Sequence, residues 1–134
     1  MLTEPQFGIK AKDLFSHVEN PTINDIDLLK IGRHFRLDEE TKLVVGRNKD
    51  ENEMIKAIAL PNDILLEAKD HVGPTSILRG KTAKEHTNFA SSVTLRYSDA
   101  PKNQSETVLV KNGDVSEEIS AKSIEEEDYI KFRI

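Results

Sequence analysis

The dipeptide Asn112-Gly113 constrains this chain more than any other feature, because it separates two strand-like runs, Glu106–Lys111 and Glu117–Ala121. An Asn-Gly pair accepts the positive backbone torsions of a tight turn, so its flanking runs read as neighbouring antiparallel strands. A further run, Tyr129–Ile134, alternates Ile130, Phe132 and Ile134 with Lys131 and Arg133 and reads as one more strand. Upstream, Arg33–Leu37 alternates charged and apolar residues, Asp38-Glu39-Glu40-Thr41 reads as a turn, and Lys42–Val45 is rich in β-branched residues. That is a second hairpin, closed by Gly46. Asp63–Lys69, with Ile64, Leu66 and Ala68 inward, and Thr75–Arg79 form another strand pair around the turn His71-Val72-Gly73-Pro74.

Helical spacing occupies the gaps. Ile9, Leu14, Phe15 and Val18 predict a short helix before Asn20-Pro21, and Asn24–Gly32 predicts another, with Asn24 as N-cap and Gly32 as stop. Asn48 or Asp50 caps a helix whose apolar side is Met54, Ile55 and Ile58. Ala83–Tyr97 is the longest candidate, with His86, Phe89, Ala90, Val93 and Tyr97 on one face. The expected fold is α+β: a mostly antiparallel sheet of about six to seven short strands, two main helices packed on it, and a short helical N-terminal segment.

At 134 residues the chain fits one domain. It has no cysteine, which excludes disulfides, thiolate zinc sites and a cysteine nucleophile. No run approaches the roughly 20 apolar residues that span a bilayer, and the start lacks the basic and apolar regions of a secretory signal. A cytoplasmic protein with no membrane partner is expected. The net charge of −5 argues against a strongly electrostatic nucleic-acid binder. The charge is uneven, however: Arg79, Lys81, Lys84, Arg96 and Lys102 dominate the middle, and Glu125-Glu126-Glu127-Asp128 the end.

No nucleophile elbow, P-loop or dinucleotide fingerprint is present, so no enzyme activity and no cofactor are expected of this chain. Asp70-His71 is either an acid–base pair or a polar turn. The histidines at 17, 34, 71 and 86 lack metal-ligand spacing, and His86 on an apolar helical face reads as a core residue.

Gly46-Arg47-Asn48 is more informative. Backbone amides at a helix start can bind an anion, and Arg47 and Asn48 could grip a phosphate or a base edge. The structural alternative is a strand-to-helix turn with Asn48 as cap. Arg33-His34-Phe35-Arg36 places cations around an aromatic, with Arg33, Phe35 and Leu37 on one strand face and His34 and Arg36 on the other. Arg96-Tyr97 ends the long helix, where a cation is favourable even without a ligand.

Leu29–Leu37, then Val45-Gly46-Arg47-Asn48 with Glu51-Asn52, resembles the C-terminal region of bacterial tRNA thiouridylase-like proteins, ATP-pyrophosphatases of the PP-loop class. Asp70–Pro74, Ile77–Gly80 and Arg96–Ala100 extend the likeness. The order of elements over residues 28–134 looks like the RNA-binding domain of NFACT proteins, although the tryptophan expected near Leu65 and Leu66 is absent. This resemblance implies an RNA-binding accessory domain that positions tRNA for 2-thiouridine or 4-thiouridine formation by an upstream PP-loop domain in cis. Residues 1–27 would be the trailing edge of that domain, and Met1 a cloning start. Carried over residue by residue, the implied RNA contacts are Arg33, His34, Arg47, Asn48, Asn52, His71, Arg79, Arg96 and Tyr97. The alternative is a protein-interaction or homodimerisation module that docks the catalytic domain without touching RNA.

Overall fold

The computed structural model describes residues 5–134. Helix α1 is Pro5–His17, α2 is Ile23–Leu29, α3 is Lys49–Ile58, α4 is Thr87–Arg96 and α5 is Glu126–Tyr129. The strands are β1 Arg33–Asp38, β2 Thr41–Val45, β3 Ile64–Ala68, β4 Ser76–Gly80, β5 Ser105–Asn112 and β6 Val115–Lys122. They form one antiparallel six-stranded sheet in the order β1-β2-β4-β3-β5-β6, which makes the fold α+β.

Alternation along the central strands sends side chains to two cores. Phe35, Leu43, Val45, Leu66, Leu78 and Val108 face α4, where Ala90, Val93 and Leu95 pack on them. Val44 and Ile77 face the other way, onto Leu28 and Ile31 around the end of α2 and Ile55 of α3. Helices therefore cover both sheet faces near β2, and every residue of that strand is buried. The first helix joins this arrangement through Asp13, which accepts from Arg36 Nε and Nη2 at 3.1 and 2.6 Å.

Several local expectations change. The turn between β5 and β6 is Gly113-Asp114, because Asn112 still pairs with Val115; the positive φ of 63° falls on Gly113. Asn24 is not the cap of α2. Thr22 is, in a capping box with Asp25, while Asn24 Nδ2 donates to the Ile58 carbonyl at 2.8 Å and ties α2 to α3. The largest departure is Tyr129–Ile134, which forms the end of α5 and a 3-10 turn, Ile130–Phe132, instead of a strand. Glu126, Glu127 and Asp128 fill the first turn of α5, where negative charge is favourable. The segment is anchored by Tyr129 and Phe132, three residues apart as on a helix, against Phe35 and Phe89. Among the described residues, Phe35 and Arg133 alone make a β-bridge at the open edge of β1.

Candidate nucleic-acid interface

Register places the start of β1, the end of β2 and the start of β4 in one row, since Arg33 pairs with Val45 and Val45 with Ser76. The turns beyond this row meet. Gly46 N donates to the Thr75 carbonyl at 3.0 Å, and Thr75 N donates to Asn52 Oδ1 at 3.0 Å. A Cβ at position 46 would strike the Asn52 amide, so glycine is required there for close approach. Asn48 caps α3, its Oδ1 accepting from Glu51 N at 2.9 Å. Glu51 in turn accepts from Arg47 N at 2.9 Å, Arg47 Nη2 at 2.6 Å and Gly32 N at 3.1 Å. These bonds, the Arg47 guanidinium's foremost, hold the Glu51 carboxyl below its usual range against the opposing effect of burial. Asn48 and Asn52 thus build the turn, while Arg47 is exposed at its tip.

Beside this turn lies a cluster of rings and guanidiniums. Arg33 shares its strand face with buried Phe35, as alternation requires, and Arg33 Cζ lies 4.5 Å from the Tyr97 ring centroid. Arg33 Nη1 also donates to the Gly46 carbonyl at 3.3 Å, which joins the cluster to the 46–52 turn. Tyr129 meets Phe35 and Tyr97 edge-on, at centroid separations of 5.8 and 5.7 Å. Arg133 Cζ lies over the Phe35 ring, 5.5 Å from its centroid. Burial and a hydrogen bond with Tyr129 push the Tyr97 hydroxyl up to about 12, despite the lowering influence of Arg33 and Arg133.

The neighbouring turn Val72–Pro74 closes on the end of α4, where Asp99 N donates to the Val72 carbonyl at 2.8 Å. His71 Nε2 lies 2.9 Å from Glu106 Oε1, so its carboxylate neighbour is Glu106 and not Asp70. Lys102 Nζ takes the carbonyls of Leu95, Arg96 and Ser98 at the negative end of α4. Arg96 approaches Glu125 at 3.8 Å.

Two expected contacts are not part of this end. His34 is completely buried on the opposite sheet face, its Nε2 2.9 Å from the Ile31 carbonyl. Burial, with Lys42 and Lys10 nearby, drives its pKa well below the usual histidine value, so it is a neutral core residue. Arg79 lies at the other end of β4, on the His34 face of the sheet, held by Asp63 at 2.7 Å and Asp25 at 3.1 Å. Both side chains are committed inside the fold and cannot reach a ligand at the 46–52 turn. The structure adds Arg133, Tyr129 and Lys102. The alternating Ile130-Lys131-Phe132-Arg133 pattern hid the first two, because it suggests an outward strand face. Lys102 lay in a link whose polarity signals only a loop.

Among the described residues, no group of three His, Asp or Glu side chains is placed to hold a metal ion. No helix among them is long and apolar enough to cross a membrane. What the end of the sheet offers is fixed cations and backbone turns, the materials of phosphate recognition.

Residues 32–133 match the NFACT protein RNA binding domain. The chain belongs to that family. The matched segment runs from the glycine before β1 to Arg133, so it contains the whole sheet and the ring cluster. The C-terminal structure of the fibronectin/fibrinogen-binding protein from Streptococcus suis shares the fold, with a TM-score of 0.67 and 12% identity over 94% of this chain and 67% of that one. No curated protein is similar in sequence.

Proposed function

We propose that this NFACT-type domain binds RNA through the end of the sheet where Arg33, Arg47, Arg96 and Tyr97 gather. The match of residues 32–133 to the NFACT RNA-binding domain carries this reading. The geometry supports it: Arg47 stands at the tip of a turn braced by Asn48 and Asn52, and Arg33 is stacked on Tyr97 beside it. A net charge of −5 makes binding depend on this local face and not on the field of the whole domain.

In finer terms, the RNA is tRNA, and the domain holds it for a PP-loop domain in cis that forms 2-thiouridine or 4-thiouridine. The likeness of Leu29–Leu37, Val45–Asn48, Asp70–Pro74, Ile77–Gly80 and Arg96–Ala100 to the C-terminal region of thiouridylase-like proteins is the ground for that context, with residues 1–27 as the edge of the upstream domain. A second reading, docking of a protein partner or a second copy, draws on exposed apolar side chains at Ile9, Phe15 and Ile23 of α1 and α2.

Fluorescence anisotropy with labelled tRNA tests the RNA reading. Arg47→Ala and Arg96→Ala each lower the slope of log affinity against log salt by about one phosphate contact, whereas Val72→Ala, a neutral surface change, does not. Equal slopes for all the variants would remove this face from the interface. Sedimentation of the free protein tests the second reading, which requires a stable dimer or a complex that buries α1.

A further inference from the structure

Arg33 and Arg133 differ from the other arginines. Arg36 pairs with Asp13, Arg47 with Glu51, Arg79 with Asp25 and Asp63, and Arg96 with Glu125. Among the described residues, neither Arg33 nor Arg133 has a carboxylate partner within ion-pair distance, and Arg133 Nε is buried with no hydrogen-bond partner. A guanidinium taken partly out of water and left without a counter-ion is unfavourable unless an anion completes it.

Both guanidiniums rest on the same three-ring cluster. Arg33 stacks on Tyr97 at 4.5 Å and Arg133 on Phe35 at 5.5 Å, and Tyr129 joins the two rings. Arg133 bridges β1 directly opposite Phe35, and Arg33 lies two residues along the same strand face, which brings both side chains to one side of the sheet. Contact with the rings holds each guanidinium near its place in advance and so reduces the ordering needed to grip an oxyanion. The rings themselves are not open platforms. Phe35 is 0% and Tyr129 2% exposed, and Tyr97 carries Arg33 on its face. The cluster therefore suits a phosphate better than a stacked base.

We infer that Arg33 and Arg133 form a clamp for one RNA backbone phosphate, with the C-terminal turn supplying half of it. This rests on the RNA-binding reading and makes that binding independent of base identity at this contact. It also gives the turn after α5 a purpose: the single bridge between Phe35 and Arg133 fixes the second guanidinium beside β1.

The test is a double-mutant cycle by anisotropy, using the full chain and labelled RNA homopolymers of equal length across a potassium chloride series. Arg33→Gln and Arg133→Gln each weaken binding by about tenfold and reduce the salt slope by roughly 0.7, the value for one phosphate on a single strand. Because one phosphate is shared, the double variant loses less than the product of the single losses. Arg133→Lys keeps the charge and most of the slope. Wild-type chain that binds RNA while both Gln variants match it overturns the clamp and leaves the RNA reading standing. So does a loss confined to one base, or single losses that multiply. No binding of any RNA by the wild type overturns both. Thermal unfolding checks each variant, and if Arg133→Gln does not fold, Arg33→Gln and Arg133→Lys run the same cycle.

Discussion

Removing the Glu51 carboxylate isolates what holds the 46–52 turn in place. Glu51 is only 8% exposed and accepts from two backbone amides and the Arg47 guanidinium. In Glu51→Ala the guanidinium can turn to water, since its side chain is 41% exposed, and that part of the loss is small. The Gly32 amide is different, because Gly32 is buried between α2 and β1. Leaving that donor unpaired costs about 1–3 kcal/mol, and the charge-assisted bonds raise the expected total to roughly 2–3 kcal/mol. For 134 residues the unfolding entropy is about 0.28 kcal/mol/K, so the melting temperature should fall by about 9 °C. Calorimetry or circular dichroism measures this directly. A fall of less than about 2 °C, equivalent to roughly 0.5 kcal/mol, would refute the view that Glu51 braces the turn.

Three further outcomes concern individual charged groups. Arg79→Ala breaks a pair with Asp63, which is 4% exposed at its side chain, and should destabilise by about 3–5 kcal/mol while leaving the RNA salt slope of the folded protein unchanged; chemical denaturation and anisotropy read the two effects separately. Among the described residues Lys42 Nζ is buried without a hydrogen-bond partner, and burial, together with Arg36, pulls its pKa down to about 8. The unfolded chain then binds more protons between about 8 and the ordinary lysine value, so stability should rise with pH across that window, and Lys42→Met should abolish the rise. Burial alone would raise the Asp38 carboxyl, but bonds from His86, Thr82 and the Glu40 amide pull it down to about 2. Its contribution is present above about pH 4 and lost as pH falls toward 2, so Asp38→Asn should show a shallower acid limb in pH-dependent unfolding.

Local patterns were legible where local physics decides the structure. The β1–β2 hairpin follows from alternation, which also places Arg33 beside buried Phe35 and His34 on the reverse face. Asn48 was readable as a cap because a cap acts within one turn of its own helix. Arg79 was not readable as a structural residue, since Asp25 is 54 positions away and only folding brings the two together. Nothing in the alternation around His34 shows that its face is covered. The C-terminal segment misled for the same reason. Its alternation is real, but Tyr129 and Phe132 find rings on β1 and α4, and those contacts favour a helical turn over a ladder. Arg133 is therefore absent from any reading confined to sequence spacing.

The most direct measurement is the affinity of the intact domain for tRNA across a salt series. RNA binding through fixed arginines predicts measurable affinity at low salt and a linear fall of log affinity with log salt, with a slope equivalent to several phosphate contacts. No detectable association with tRNA or any other RNA, or an affinity indifferent to salt, would contradict the account.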